Sequence, residues 1–364
     1  MATVVAGPGI GRYFADYGAD VIKIEPPGGD STRRMGWADP GDDSFFWKLI
    51  ARNKRTVTID LRDPDGLRRA TDLISGADLL VENMRPGKLE ALGLAPDTLR
   101  TSNPGLVVVR VSGFGQTGPY AAKPGFATLA EALSGLSAIT GEADGPPLLP
   151  PIAITDELTA VVGAFASMVA LRHAGRTGEG QDVDVNLLES MFQMMGPLVS
   201  AYAHQGYLQP RLGSGIPYSV PRGTYRCRDG RWVAISSSAD SVARRVLGLL
   251  GHADDDRFAT FGDRLRNRDE LESLMVSWVG ERDYDVVVAE FERVDAAIAP
   301  VLEMSDIFAD PHFAARGSII DVDGVAMQGL VARFSKTPGA VRHAGPAQST
   351  APVDWLDRDR TEHP

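Results

Sequence analysis

Cysteine is all but missing from this 364-residue chain, in which Cys227 is the only one. A single thiol can form neither an intrachain disulfide nor a cysteine-based zinc site, which fits a reducing compartment, and the chain reads as cytoplasmic. Cys227 itself reads as a half-buried strand residue. Histidine is scarce as well: His173, His204, His252, His312, His343 and His363 are scattered, with no pair at metal-ligand spacing and no cysteine beside them. No metal site is expected from them. Positive charge is short, with 37 Lys and Arg against 48 Asp and Glu and a net charge of −11. That balance argues against general affinity for nucleic acid or an anionic membrane, so an anionic ligand would need a local basic patch. Long apolar runs are absent too. The longest, 158–171, is shorter than a bilayer requires, and the start of the chain lacks the charged end and apolar core of a signal peptide.

What remains is an ordinary globular composition, 43% hydrophobic and 23% charged, long enough for one large or two moderate cores. The first third alternates β-branched runs with helix signals, as a parallel sheet with crossover helices would. "DVIKIE" (20–25), "TVTIDL" (56–61), "ADLLVEN" (77–83) and "LVVVRVSGFG" (106–115) read as strands. Between them, "DPDGLRRATDLISG" (63–76) has an Asp63 cap, proline at the first helical position and a Gly76 stop. After Gly125 the pattern turns helical. A short strand "QDVDV" (181–185), a Gly/Pro/Ser-rich loop (206–222) and a hairpin "GTYRCRDGRWVAIS" with its turn at Asp229-Gly230 follow. A strand "AIAPVL" and a second Asp-Gly turn at Asp323-Gly324 close the pattern. The fold class is α/β: a doubly wound large domain over 1–204, a smaller α+β domain over 205–310, and a segment over 311–364 returning to the large one.

Four signals bear on chemistry, each with a plainer reading beside it. "VVAGPGIGRYFADYGADVIKIE" (4–25) has the order of a dinucleotide-binding unit, but Arg12 stands where its third glycine belongs and Pro8 lies between the first two. "EPPGGDSTRRMG" (25–36) and "ARNKRTV" (51–57) are compact basic clusters beside strand ends, able to grip phosphates or simply to be solvated loop charge. The serine of "VSGFG" is one place too early for a hydrolase elbow. Asp156 opens the small, apolar stretch "ELTAVVGAFASMVALR". At a helix start it could be a cap, or a carboxylate kept anionic as a nucleophile, and spacing alone does not separate the two.

In order along nearly the whole chain, "GADVIKIEPPGGDSTR", "NKRTVTIDL", "VENMRPGKLEALGL", "VSGFGQTGPY", "LSGLSAITGEADGPP", "ALRHAGRTGEGQDVDVNLLES", "DGRWVAI", "IAPVLEMSDI" and "FSKTPG" resemble the class III coenzyme A transferase family. That family includes the formyl-, carnitine- and bile-acid-CoA transferases and the related α-methylacyl-CoA racemases. The resemblance implies two ring-like chains interlocked as a homodimer, and acyl-CoA and a carboxylic acid acceptor as substrates with no tightly bound cofactor. By position, Asp156 matches the family's nucleophile, which passes through a mixed anhydride and an aspartyl-CoA thioester. The CoA phosphates and adenine would be held by Arg33, by Lys54 and Arg55 of "NKR", by Arg85 and by Lys123.

Departures narrow the choice within the family. Racemases resemble one another in a histidine about thirty residues before the aspartate; Phe126 occupies that place here and carries no proton, leaving Glu131 or Tyr120 as substitutes. The glycine-repeat loop and the amino-terminal glutamine associated with oxalate are replaced by "SGIPYSVPRG" and Val5. The start "MATVVAGP" implies a shortened first strand or a start further upstream. A 2-methylacyl-CoA racemase and a CoA-binding relative without catalysis are the alternatives to a transferase.

Overall fold

The computed structural model describes residues 1–237 and 239–355. The chain divides into two compact units, one built from 1–136, 149–196 and the chain from 311 on, the other from 137–148 and 197–310. The smaller unit therefore begins at Pro197 rather than 205 and takes in a stretch from the helical middle of the chain.

The larger unit runs α1 (Ala6–Asp16), β1 (Ile22–Glu25), α2 (Phe45–Ile50), β2 (Arg55–Thr58), α3 (Pro64–Ser75), β3 (Leu79–Glu82), α4 (Lys88–Ala91), α5 (Pro96–Ser102), β4 (Val107–Ser112) and α6 (Ala127–Leu133). The short α7 (Leu136–Ile139) leads into the smaller unit, and the larger one resumes with α8 (Ile154–Thr177), β5 (Asp182–Asn186) and α9 (Leu187–Gln193). β1 and β2 pair in parallel, and β3, β4 and β5 form a second parallel set with β4 in the middle. Helices connect each parallel pair, which makes this an α/β fold. Central β4 is buried along almost its whole length, as its run of valines dictates for a strand covered on both faces. α3 starts where its residues require: the Asp63 side chain accepts from the Gly66 N–H, Pro64 takes the first helical position, and Gly76 ends the helix.

The glycine-rich stretch at the amino terminus is not a phosphate loop. Ala6 to Gly11 is already the first part of α1, so the arrangement of a dinucleotide site is absent there. Glycine inside a helix costs stability, and here the cost is offset by close contact with α8. A Cβ on Gly9 would lie 2.6 Å from the Ala160 methyl, and one on Gly163 would lie 2.4 Å from Ile10 Cδ1. Ile10, Ala160, Val107, Val109 and Val185 share one core with this contact at its centre. α8 extends past the apolar run 158–171 on both sides, so by length and composition alone it could cross a membrane. Thr159, Ala160, Gly163, Ser167 and Ala170 are nevertheless buried in this unit, while Val161, Phe165, Met168 and Val169 on the same helix are exposed.

The smaller unit holds α10 (Leu198–Gln205), β6 (Arg222–Arg226), β7 (Trp232–Ser236), α11 (Asp240–Leu249), α12 (Phe261–Arg266), α13 (Arg268–Gly280), α14 (Tyr284–Arg293) and β8 (Ile298–Pro300). β6, β7 and β8 form an antiparallel sheet whose hairpin turns at Asp229-Gly230, with the Cys227 N–H donating to the Arg231 carbonyl. Cys227 is fully buried there, in a core with Val233, Met275 and Phe291, deeper than a half-buried strand position. In the larger unit, β9 (Ile319–Val322) and β10 (Val325–Gln328) meet at Asp323-Gly324, both with positive φ (55° and 77°), as a two-residue hairpin of this kind demands.

Gly9→Ala would force two methyl carbons together that cannot rotate apart. It should destabilise the protein by about 1–3 kcal/mol, read from urea unfolding, and Ala160→Gly in the same chain should restore part of the loss. An unchanged midpoint would show that the two helices are not held at this distance.

Candidate active site

α8 precedes β5 and packs on β4 and β5, so it runs back along the sheet and brings its amino terminus to the end where the parallel strands finish. Ligands of open α/β sheets bind at that end. The first turn of α8 carries Thr155, Asp156 and Glu157.

Asp156 is not the side-chain cap of its own helix. The N-cap is Ala153, and no side chain caps that end, because Asp156 is the third helical residue and its carboxylate turns toward α1. There the backbone N–H of Ala6, the first residue of α1, interacts with the carboxylate and favours its charge. Helix amino termini stabilise anions through unpaired N–H groups and the helix dipole, and Asp156 lies near two of them. Opposing forces are larger. Burial, then the negative charges of Glu131 and Glu157, push its pKa up to about 6. At neutral pH the group is mainly anionic and more basic than an ordinary aspartate, as a carboxylate nucleophile should be.

The neighbours are arranged in two ways. Glu157 accepts from the Arg12 guanidinium at 2.7 Å and from the Tyr13 hydroxyl at 3.4 Å, and the same guanidinium packs 4.8 Å from the centre of the Tyr13 ring. Glu131, on α6, is only 4% exposed and accepts from the Thr155 hydroxyl at 2.8 Å. No cation pairs with Glu131 among the described residues. The sequence shows Arg12 only as a break in a glycine motif and gives no sign of its pairing with Glu157, since a charged pair 145 positions apart leaves no local pattern. Glu131 was noticed only as a stand-in for a missing histidine. Phe126, in that histidine's place, begins α6 with its ring exposed, and Tyr120 stands edge-on to Phe114.

The five expected phosphate-binding cations fall into different places. Arg33 is buried, donating to both oxygens of Glu25, to Asp43 and to the Pro346 carbonyl, with its guanidinium 3.7 Å above the Trp47 ring. Lys54 is buried under α1, its ammonium donating to the carbonyls of Pro8 (2.6 Å) and Ile50 (2.7 Å), and burial holds its pKa well below that of an ordinary lysine. Arg55 opens β2, at the amino-terminal end of that strand, and is clamped by Asp20. These three are committed to internal partners. Arg85, in the loop after β3, and Lys123, between β4 and α6, are exposed, lie beyond strand carboxyl ends, and have no carboxylate partner among the described residues. Lys123 rests 3.7 Å from the centre of the Tyr120 ring.

This arrangement, a basic carboxylate at the ligand-binding end of a parallel sheet, agrees with what the chain is similar to. Residues 1–350 match the model of CoA-transferase family III. The succinyl-CoA–D-citramalate CoA-transferase of Chloroflexus aurantiacus is 38% identical over 95% of this chain and 89% of that protein. The succinate–glutarate CoA-transferase of Agrobacterium fabrum is 33% identical over 99% of this chain and 95% of its own length. Among solved structures, a CAIB/BAIF family protein from Brucella suis superimposes with a TM-score of 0.85 at 32% identity, covering 96% of this chain and 94% of that one. The chain belongs to CoA-transferase family III, and it is a CoA-transferase.

The raised carboxyl has a consequence for stability. A folded pKa of about 6 against an ordinary 3.8 means that the folded state holds the proton more tightly. Asp156 therefore costs no stability at low pH, and the cost grows as pH rises from about 4 to about 6 and stays above that. Asp156→Asn should raise the melting temperature at pH 8, by an amount equivalent to roughly 2 kcal/mol after allowing for partial exposure, with a smaller gain at pH 5. A gain that does not depend on pH would contradict this electrostatic picture.

Proposed function

We propose that the protein moves CoA from a donor acyl-CoA to a carboxylic acid, with Asp156 as the nucleophile. The observation that carries this reading is the half-buried Asp156 carboxylate, pushed up to about 6 and facing the Ala6 N–H at the strand-end side of the sheet. Asp156 Oδ attacks the thioester carbonyl, the C–O bond forms, the C–S bond breaks and CoA leaves as thiolate. The thiolate then attacks the aspartyl carbonyl of the mixed anhydride. This forms the aspartyl-CoA thioester and releases the donor acid as carboxylate. An incoming carboxylate reverses both steps and departs with CoA. Carboxylates are weak nucleophiles in water, so exclusion of water and in-line placement supply much of the rate, with backbone N–H groups facing the developing oxyanions.

Arg85 and Lys123 are the proposed phosphate contacts, being free of carboxylates among the described residues and placed at the strand ends; Arg33, Lys54 and Arg55 hold the frame. The names of the relatives favour short dicarboxylic acids as substrates, with succinyl-CoA as donor. A racemase would need a second proton carrier across the α-carbon, and Phe126 offers none. We propose a homodimer as the working form, with the exposed Val161, Phe165, Met168 and Val169 of α8 covered by the second copy: Phe165 is 72% exposed, and such apolar side chains on a core helix favour a partner.

Incubation with succinyl-CoA followed by hydroxylamine should give a hydroxamate on wild-type protein and none on Asp156→Ala, which should keep its affinity for CoA. Arg85→Ala and Lys123→Ala should each weaken CoA binding about 5- to 30-fold with little effect on the trapped fraction at saturation. Full transfer by Asp156→Ala would end this reading.

A further inference from the structure

Glu131 is buried, sits on a different helix from the nucleophile, and has the Thr155 hydroxyl as its one hydrogen-bond donor and no cation among the described residues. Buried carboxylates are costly unless paired, and the residue next to its only donor is Asp156. Glu157, on the other side of Asp156, is neutralised in place by Arg12. Of the two carboxylates that act on Asp156, Glu131 is thus the uncompensated one.

We propose that Glu131 is a positioning residue for the transfer reaction: held by the hydroxyl of Thr155, it keeps a buried, unpaired negative charge beside the nucleophile and so favours the acylated form of the enzyme. The inference rests on Asp156 being the nucleophile. Its physical content is the movement of charge. When Asp156 attacks the thioester, its negative charge passes to the CoA sulfur. When the thiolate attacks the anhydride, the charge leaves on the departing donor carboxylate. Atoms and electrons balance with no further reactant, and the enzyme-bound thioester leaves a neutral acyl group beside Glu131 where two like charges had stood. Relief of that repulsion favours the intermediate, and the raised basicity of Asp156 speeds its formation.

The groups facing Asp156 are few. From α1 come the Ala6 N–H and, through Glu157, Arg12 and Tyr13; from α6 comes Glu131; from α8 itself come Thr155 and Glu157. Glu131→Gln keeps an acceptor for the Thr155 hydroxyl and removes only the charge. Glu131→Asp keeps the charge and shortens the arm.

Two measurements test the proposal, one of them independent of turnover. Single-turnover acylation by succinyl-CoA, followed against pH, should lose rate below about pH 6 in the wild type. In Glu131→Gln that limb should move to lower pH, burial and Glu157 still holding it above that of an ordinary aspartate, and the rate on the alkaline plateau should fall about three- to tenfold. Glu131→Asp should resemble the wild type. The second measurement is thermal unfolding at pH 8, where the gain from Asp156→Asn should shrink measurably, with the part due to burial remaining, when Glu131→Gln is also present. If both the pH limb and the Asp156→Asn gain are unchanged in Glu131→Gln, the inference is overturned, even while Asp156→Ala abolishes trapping. If Asp156→Ala retains transfer, the nucleophile assignment fails instead, and the unfolding cycle still reports whether the two carboxylates interact. A Glu131→Gln protein that shows neither change but melts well below wild type would overturn the proposal by marking Glu131 as purely structural.

Discussion

The close contact between α1 and α8 is the constraint on which the site depends. Glycine at positions 9 and 163 lets the helices approach until Ala160 and Ile10 touch them directly. At that separation the start of α1 reaches the first turn of α8, and an amide N–H meets a carboxylate. The contact both removes Asp156 from water, which raises its basicity, and supplies a donor that keeps it charged. Neither effect alone gives a useful nucleophile: a buried carboxylate without a donor is protonated, and an exposed one is too weak.

The buried cations fix the elements around this contact. Lys54 is spent holding the Pro8 carbonyl inside α1 and the Ile50 carbonyl at the end of α2. Arg33 ties β1 to the loop that follows it through Glu25 and Asp43. Buried ion pairs of this kind are weak sources of net stability, but breaking one leaves an uncompensated charge, so they act as fixed joints. Within the basic clusters Arg33, Lys54 and Arg55 thus serve as joints of the frame, while the exposed Arg85 and Lys123 beyond the strand ends are open to an anionic ligand.

Much of the fold was legible in the residues themselves. The valine run of β4, the Asp63-Pro64 start and Gly76 stop of α3, and the Asp-Gly turns each state their geometry locally. What was not legible was what depends on contact across the chain. The glycines of α1 look like a loop until α8 is seen beside them, because their reason is the Ala160 methyl and not a phosphate. Asp156 could be read as a cap or as a nucleophile, and that it does not cap α8 depends on its side chain turning toward α1 and not toward its own amide groups. Glu131 and Arg12 act on that carboxylate from distant positions, and the five cations could not be sorted into free and committed without knowing their partners.

The central claim is that one aspartate carries CoA covalently. The most direct measurement is reduction of the enzyme by borohydride after incubation with donor acyl-CoA and no acceptor, followed by peptide mapping. An aspartyl-CoA thioester is reduced to homoserine, so the account predicts homoserine at position 156. Intact aspartate there, or a reduced side chain at Glu131 or Glu157 instead, would contradict it.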